Sequence, residues 1–525
     1  MKRNAILTVI LWGLLCGCEP SYIYEDYNEM NSMVQLAQGL VTKDTQSGAL
    51  NLLRIRPNSV TYTELFSPED GKFIDEFFPG HEAEKSNRLF VLSAVKDDRR
   101  TDVFSSLAVI DVATGATVSY TLGSRFSQYR FSPDGQTLIL FHGDSDSNRG
   151  SLSNPNEIAI VDLSAPPLDA NAATATASVS NPRTLSVNVQ GHTIEGIHFL
   201  DPFLIGNAET ALVAFVTVGA IHFTNMYEKT LPTVAVSLKN DTDSRRILAR
   251  KFEVLPGTQT RGPRVFVQAD GASELYDIEF NFKDNDAGFY ATTSLLDGGS
   301  MPSDFAVLED AGELFVVSAS SSQNRINIFE ASTAHITTLT TNDRIQTIFA
   351  REQDGQTELV MYGNGSSRIY FLQAAGLGKE MGDNLDAMIL PDGMGSAVAL
   401  DDDRLMIYPD ESDLAIADLR TRTITHLTGE NSTDWQDNLL WGNTLFLPGH
   451  SKVEYLNILN GTTGYVALDE PLDEFYVFEA LGLGMALHAT PTGRVTTFPL
   501  ATPTRAHCKV YDGFLVSGIL NRGEE

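Results

Sequence analysis

Short runs of β-branched and aromatic residues, separated by clusters of Gly, Asp, Asn and Pro, dominate the chain from about residue 86 onwards. The clearest unit starts with the strand-like run 129–131, turns through Ser132-Pro133-Asp134-Gly135 and returns through residues 137–141. Proline presets φ early in such a turn and glycine tolerates a positive φ, so this unit predicts a β-hairpin. Many such units in succession predict an all-β chain.

One apolar string that ends in an acidic residue recurs along the chain. It reads LAVIDV at 107–112, EIAIVDL at 157–163 and LAIADL at 414–419, with looser copies at 326–329, 369–372 and 455–459. Several steps between equivalent positions are 40 to 51 residues long, which is the period of four-stranded propeller blades. Nearly continuous apolar runs are also typical of strands that are covered on both faces, as in stacked blades.

Two motifs carry a family resemblance. The run FSPDG at 131–135, followed by Thr137-Leu138, resembles the blade hairpin of TolB-type and WD40-like bacterial propellers, and IDVATG at 110–115 resembles the strand ending of YVTN-type propellers. The resemblance implies a single β-propeller. Regular units begin near residues 88, 128, 194, 304, 345, 395, 436 and 475, which predicts eight blades, with seven as the alternative. Residues 253–300 form either a further blade or an insertion, and the runs 509–511 and 514–516 would complete the first blade.

The first eighteen residues predict export. Lys2 and Arg3 precede an apolar run at 5–15, which is too short to span a membrane and is typical of a signal-peptide core. The run Leu15-Cys16-Gly17-Cys18 resembles the bacterial lipobox. That resemblance implies cleavage between Gly17 and Cys18 and attachment of acyl chains, palmitate among them, to Cys18. The alternative is an ordinary signal peptide with incidental cysteines.

These features predict three segments: a lipoprotein signal peptide at 1–17, a lipidated N-terminus and tether at 18–50, and the propeller at 51–525. The spacing of apolar residues over 30–40 predicts a short helix within the tether. Glu19 follows the lipidated cysteine, whereas aspartate there would retain an enterobacterial-type lipoprotein at the inner membrane. We therefore expect a cell-envelope protein anchored in the outer membrane, with the periplasmic and surface faces both open.

Charge and cysteine content narrow the function classes. The formal net charge of −31 repels phosphate backbones and anionic head groups, so we expect no nucleic-acid partner and contact with the membrane only through the anchor. With Cys16 cleaved off and Cys18 acylated, Cys508 is the one remaining cysteine, and it is expected to pack as a small apolar residue.

Candidate chemistry is sparse. The zincin, lipase, Walker and dinucleotide-binding motifs do not occur in the sequence. Asp144, Asp146 and Asn148 resemble the start of a calcium loop, but Arg149 and Pro155 stand where that loop needs glycine and glutamate. His192 and His198 could share one strand face and a metal, although ordinary histidines are favoured. The acidic loops at 284–286 and 401–403 are interpreted as solvated turns. Taken together, these patterns predict that the protein binds no cofactor, and bound calcium is the one alternative that stays open.

A non-catalytic envelope scaffold that binds a protein or glycan partner is the function these observations favour, so we do not expect an enzyme. Two alternatives remain at this stage. One is a secreted propeller hydrolase or lactonase with a metal at the central channel, and the other is a solute-binding sensor lipoprotein. Fold alone does not decide among them, because propellers serve many functions.

Overall fold

The computed structural model describes residues 33–512 except for 45–46, 69–70, 83–84, 96–104, 123, 143–156, 164–176, 179–182, 187–193, 201–202, 206–207, 211, 226–233, 239–246, 257–262, 283–288, 298–300, 311, 321, 354, 376, 378–384, 409–413, 427–438, 460–461 and 489–492. These described residues form strands, turns and two 3₁₀ turns, Glu479–Leu481 and Arg505–His507. Among them there is no helix that is long and apolar enough to cross a membrane.

Ten antiparallel four-stranded sheets follow one another along the chain, and we number them as blades 1 to 10. Blades 1 to 5 contain, in order, β1 Met33–Leu36, β2 Gly39–Lys43, β3 Leu50–Arg56, β4 Ser59–Phe66; β5 Lys72–Pro79, β6 Arg88–Val95, β7 Ser105–Asp111, β8 Thr117–Leu122; β9 Gln128–Phe131, β10 Thr137–Phe141, β11 Glu157–Asp162, β13 Arg183–Ser186; β14 Gly196–Phe199, β17 Leu212–Thr217, β18 Ala220–Asn225, β19 Val234–Ser237; and β20 Leu248–Leu255, β21 Arg264–Asp270, β22 Glu274–Phe282, β23 Phe289–Asp297.

Blades 6 to 10 repeat the same order without interruption. They contain β24 Pro302–Asp310, β25 Glu313–Ser320, β26 Arg325–Glu330, β27 His335–Thr340; β28 Thr347–Gln353, β29 Gln356–Tyr362, β30 Ser366–Gln373, β31 Leu385–Met394; β32 Ser396–Asp401, β33 Arg404–Tyr408, β34 Ala415–Asp418, β35 Thr423–His426; β36 Leu439–Trp441, β37 Thr444–Gly449, β38 Lys452–Asn457, β39 Thr463–Ala467; and β40 Leu472–Phe478, β41 Leu483–His488, β42 Val495–Pro499, β43 Lys509–Tyr511.

Three short strands lie outside this scheme. Strand β12, Ala177–Ser178, adds to the outer edge of β8 as a parallel fifth strand of blade 2. Strands β15, Phe203–Ile205, and β16, Ala208–Thr210, form a two-stranded hairpin between β14 and β17.

The first strand of each blade is the innermost and the last is the outermost. First strands of neighbouring blades contact one another, as β24 does β20 and β28, and β1 does β5. The second strands are almost wholly buried, while outermost strands such as β27 and β35 expose much of their length. Apolar side chains therefore fill the spaces between blades, as stacked sheets require.

One buried apolar cluster lies between each pair of neighbouring blades, from blades 1 and 2 through to blades 9 and 10. The tenth cluster joins Leu40, Leu53 and Ile55 of blade 1 to Phe478 and Met485 of blade 10. Because the last blade packs on the first, the ten sheets form a closed β-propeller.

The prediction of an all-β propeller is confirmed, but the prediction of eight blades is wrong. The eight units expected from the sequence are blades 2, 3, 4, 6, 7, 8, 9 and 10, and the structure adds blades 1 and 5. The described residues of 253–300 lie in blade 5, so this segment is a further blade and not an insertion. The repeat of apolar strings in the sequence did not reveal blade 5, because charged residues interrupt its first strand, which reads LARKFEVL.

The helix predicted over 30–40 is also wrong where the structure describes it. Met33–Leu36 and Gly39–Lys43 are the paired strands β1 and β2, in which Val34 and Leu36 alternate as buried residues. Helical spacing and strand alternation coincide over so short an apolar run, and packing against blades 2 and 10 decides the outcome. The first sheet thus takes in residues that the sequence analysis assigned to the tether.

Ring closure differs from the sequence expectation as well. Strand β43 pairs with β42 in its own blade and does not complete blade 1. The Lys509 ammonium nevertheless reaches blade 1, where it donates hydrogen bonds to the Pro57 carbonyl and to Asn58 Oδ1, 2.7 and 2.5 Å away. Residues 514–516 lie outside the described residues.

The recurring acidic string forms the third strand of its blades, and its carboxylate shapes the turn that follows. Asp111 Oδ1 accepts hydrogen bonds from the backbone N–H groups of Ala113 and Thr114, each at 2.9 Å. Asp418 Oδ1 accepts one from the N–H of Thr421 at 2.7 Å. Aspartate suits this position because its short side chain can close a turn of its own backbone.

Candidate functional site

The innermost strands contain a repeated irregularity. A register shift near the start of the first strand occurs in blades 2, 5, 6 and 10, and it leaves one extra residue in each: Asp75, Arg250, Ser303 and Asp473. Such bulges redirect a side chain out of the regular alternation and are enriched beside functional sites. The innermost strands are therefore where a candidate site must be sought first.

Blades 5, 6 and 7 are joined there by one lysine and one aspartate. The Lys251 ammonium donates to Asp304 Oδ1 at 2.8 Å, to the Phe305 carbonyl at 2.7 Å and to the Ile348 carbonyl at 3.3 Å. Asp304 Oδ2 accepts the backbone N–H of Ile348 at 2.6 Å. Burial raises the pKa of Asp304, and Lys251 opposes that rise. The pair thus links three innermost strands.

A second set of basic side chains on the innermost strands of blades 3, 4 and 5 consists of Arg130, His198 and Arg250. Burial first, and then the positive charges of Arg130 and Arg250, lower the pKa of His198 to about 4. The ring of His198 packs on Phe252 with a centroid distance of 4.5 Å, and Arg250 pairs with Asp270 at 2.5 Å. His198 is therefore neutral at pH 7 and acts as a packing residue.

A buried ionic network joins blades 7 and 8. Arg351 and Glu358, both inaccessible to solvent, are 2.6 Å apart, and Arg351 also donates to Asp403 at 2.9 Å and to the Leu419 carbonyl at 2.9 Å. Arg422 reaches the other oxygen of Glu358 at 3.0 Å. Both guanidinium groups also lie over the ring of Phe371, 5.9 and 4.5 Å from its centroid.

The innermost strands of blades 8 and 9 differ in character. Val398 on β32 is 51% exposed and Leu440 on β36 is 40% exposed, so apolar side chains are accessible here. The innermost strands of blades 5 to 7 instead contain eight charged residues in all, among them Lys251, Asp304 and Arg351. The inner wall of the ring is chemically uneven.

Blade 10 holds the last cluster of ionisable groups. His488 is buried, with Nε2 2.7 Å from Thr496 Oγ1 and Nδ1 3.1 Å from the carbonyl oxygens of Glu470 and Pro471. Arg494 pairs with Glu470 and, at 2.7 Å, with Asp512. The half-buried Cys508 packs beside the apolar cluster of blades 9 and 10, and burial raises its pKa.

The structure brings few of the sequence-predicted site residues together. Gly17, Cys18, Asp144, Asp146, Asn148, His192 and the loop 284–286 lie outside the described residues. The loop 401–403 is not simply a solvated turn, because Asp403 binds Arg351 and Asp401 binds Arg404 at 2.8 Å. Among the described residues there is no group of three or more His, Cys, Asp or Glu residues arranged to hold a metal.

Lys251, Asp304, Arg351 and Glu358 were missed by sequence reasoning. They carry no motif, and their partners are far away in the chain, as for Lys251 and Ile348, which are separated by 97 positions. No signal in a single sequence connects such residues.

Comparison with known proteins gives little more than the architecture. No family model matches the chain, and a search of curated proteins finds no match either. Solved structures with some similarity include the dihydro-heme d1 dehydrogenase NirN (11% identity, TM-score 0.39, 77% of this chain and 78% of that chain) and Saccharomyces cerevisiae Sqt1 (11%, 0.36, 73% and 94%). A third is apo AztD from Citrobacter koseri (12%, 0.31, 69% and 92%). Similarities at this level carry no argument about function.

Proposed function

We propose that this protein is a lipid-anchored bacterial envelope propeller, of the TolB- or WD40-like (YVTN-type) kind, that acts as a non-catalytic scaffold for a protein partner, with a glycan as the alternative ligand. Residues 1–17 serve as its signal peptide, and Cys18 carries the acyl chains that anchor it, most simply in the outer membrane. The propeller presents a rigid surface beyond the lipid.

One observation carries the scaffold role: on the innermost strands of blades 5 to 7, the charged side chains of Lys251, Asp304 and Arg351 are used to tie blades together. Lys251 and Asp304 link blades 5, 6 and 7, and Arg351 links blade 7 to blade 8. A propeller enzyme needs ionisable groups at its channel that can contact a substrate. These groups have their hydrogen-bonding capacity taken up by neighbouring blades, which favours rigidity over chemistry.

Crosslinking in intact cells tests the scaffold role. We expect a lysine-reactive crosslinker, followed by purification of the protein through a C-terminal tag, to recover the same partner in repeated experiments. A tagged lipoprotein of similar abundance is the control for nonspecific capture. Recovery of only the background proteins of the control, together with turnover of a hydrolase substrate, would reject the scaffold in favour of an enzyme.

Metabolic labelling tests the anchor. We expect alkyne-palmitate to label the wild-type protein and not the Cys18→Ser variant, because acylation requires the Cys18 thiol. The matched control is Cys508→Ser, which leaves the lipobox intact and should label as the wild type does. Equal labelling of the Cys18→Ser variant would show that the anchor is elsewhere or does not exist.

A further inference from the structure

The outermost strand of blade 5 has an unusually uniform edge. Strand β23 pairs with β22 over nine consecutive positions without a bulge, from Phe289 opposite Phe282 to Asp297 opposite Glu274. Its sequence, FYATTSLLD, has no charged residue and no proline before the final aspartate. Proteins usually protect long edge strands with charges, prolines or bulges, because the unpaired backbone groups can pair with another chain.

The side chains along this edge are accessible. Leu295 is 58% exposed and Tyr290 is 44% exposed, and the intervening Thr292, Thr293 and Ser294 are exposed as well. Threonine and aromatic residues favour extended pairing, so the strand offers both backbone groups and suitable side chains to an added strand. In the described part of the chain, β22 is the only strand paired with β23.

The outermost strands β27 and β39 are also uncharged but are shorter, with six and five residues, whereas other long outer edges are charged or covered. β31 is longer than β23, but it contains Asp386, Pro391 and Asp392, and β4 contains Glu64. The uncharged strand β8, TVSYTL, is covered by the chain itself, because β12 pairs with Val118 and Ser119. Blade 2 thus shows that an uncharged outer edge of this propeller can accept an additional strand.

The charge of blade 5 indicates which kind of segment would bind at its outer edge. The four strands of blade 5 contain six carboxylates and three basic side chains, so the blade carries a net negative charge. At one end of the sheet, two exposed acidic residues, Glu274 and Asp297, stand directly opposite each other. A basic residue of an added strand at this end would meet two carboxylates and be attracted, whereas an acidic residue would be repelled. A second copy of this chain would instead bring a net charge of −31 against another −31.

We propose that the outer edge of β23 binds an extended, basic segment of a partner protein, which adds to blade 5 as a fifth strand. This inference rests on the proposed scaffold function and specifies its surface and the chemistry of its partner. Backbone hydrogen bonds along β23 supply much of the affinity, while lysine or arginine near Asp297 selects basic over acidic segments.

A labelled peptide tests the site on the full-length protein. The probe is a nine-residue fluorescein-labelled peptide of alternating threonine and lysine, with a threonine and glutamate version as the charge control. We expect anisotropy to show binding of the lysine peptide only, and hydrogen exchange to show protection of backbone amides within 289–297. Protection confined to another part of the protein, or equal binding of both peptides, would overturn the assignment.

A pair of matched variants locates the interaction. Adding two lysines to β23, in T293K/L295K, should weaken peptide binding by about tenfold or more, because like charges repel the peptide. The control H335K/T340K adds two lysines to exposed positions of β27 on the next blade and should bind as the wild type does. Circular dichroism checks that both variants keep the wild-type fold. Equal affinity of the two variants would reject the site, and so would a wild-type dimer that the T293K/L295K variant loses, because the edge would then bind a second copy.

Crosslinking in cells separates this inference from the proposed function. If the wild type and T293K/L295K capture the same envelope partner equally well, the scaffold function stands and the β23 site is wrong. If the wild type captures no specific partner, the scaffold function itself fails. Capture that is lost in T293K/L295K and retained in H335K/T340K supports both.

Discussion

Two junctions of the ring pack neighbouring blades with different chemistry. Between blades 7 and 8, Arg351 and Glu358 are buried together and reach Asp403 and Arg422. Between blades 10 and 1, the contact is mainly apolar, with Leu53 buried against the cluster that contains Phe478. When a side chain of an apolar junction is shortened, the free energy of unfolding falls with the apolar contacts that are lost. When one partner of a buried ion pair is removed, it falls further, because the other charge is left buried. Substitutions at the two junctions test this difference.

Removing the carboxylate of the ionic junction should have the largest effect. Glu358→Ala leaves Arg351 buried without its main partner, and we expect the free energy of unfolding to fall by about 4 kcal/mol. Urea denaturation followed by tryptophan fluorescence measures the loss. The double variant Arg351→Met with Glu358→Leu removes both charges and should recover most of the stability. A single variant that loses less than the double variant would contradict the argument.

Trimming the apolar junction should cost somewhat less. Leu53 is fully buried, and Leu53→Ala should lower the free energy of unfolding by about 3 kcal/mol through lost burial and the cavity that remains. Leu53→Met nearly conserves volume and is the control. Because no charge is involved, we expect added salt to leave the difference between the Leu53 variants unchanged. A strong salt dependence would show that closure is not governed by apolar packing.

A titrating residue provides the smallest of these effects. The pKa of His198 is about 4 in the folded protein and 6.5 in the ordinary case, so between these values the unfolded chain binds more protons than the folded one. The contribution of His198 to the free energy of unfolding is therefore fully present above pH 6.5 and is lost as the pH falls. At about pH 5 the loss is about 2 kcal/mol. Comparing urea midpoints of the wild type and His198→Gln across this range measures the effect. Parallel pH profiles for the two proteins would show that His198 is not buried in its neutral form.

The apolar half of this comparison could be predicted from the sequence, and the ionic half could not. The strings at 107–112, 157–163 and 414–419 identify third strands, because a strand that is buried on both faces is apolar at nearly every position. Blade 1 was hidden because its first apolar residues fit a helix as well as a strand, and blade 5 because Arg250 and Lys251 interrupt its first strand. The contact of Arg351 with Asp403 spans 52 positions and leaves no local pattern.

The β23 edge is an intermediate case. Its run of eight uncharged residues at 289–296 is visible in the sequence, within the irregular segment 253–300. What the sequence does not reveal is that this run is outermost and exposed, while the similar run of β8 is covered by β12. Exposure is a property of the assembled ring, so it becomes available only with the structure.

Packing of the last blade on the first also has a consequence for folding. The Gln35 side chain donates a hydrogen bond to the Val477 carbonyl at 2.6 Å, across 442 positions of the chain. The apolar face of blade 1 that packs on blade 10 therefore stays uncovered until almost the whole chain is available for folding. The seam between the first and last blades would be the final part of the ring to form.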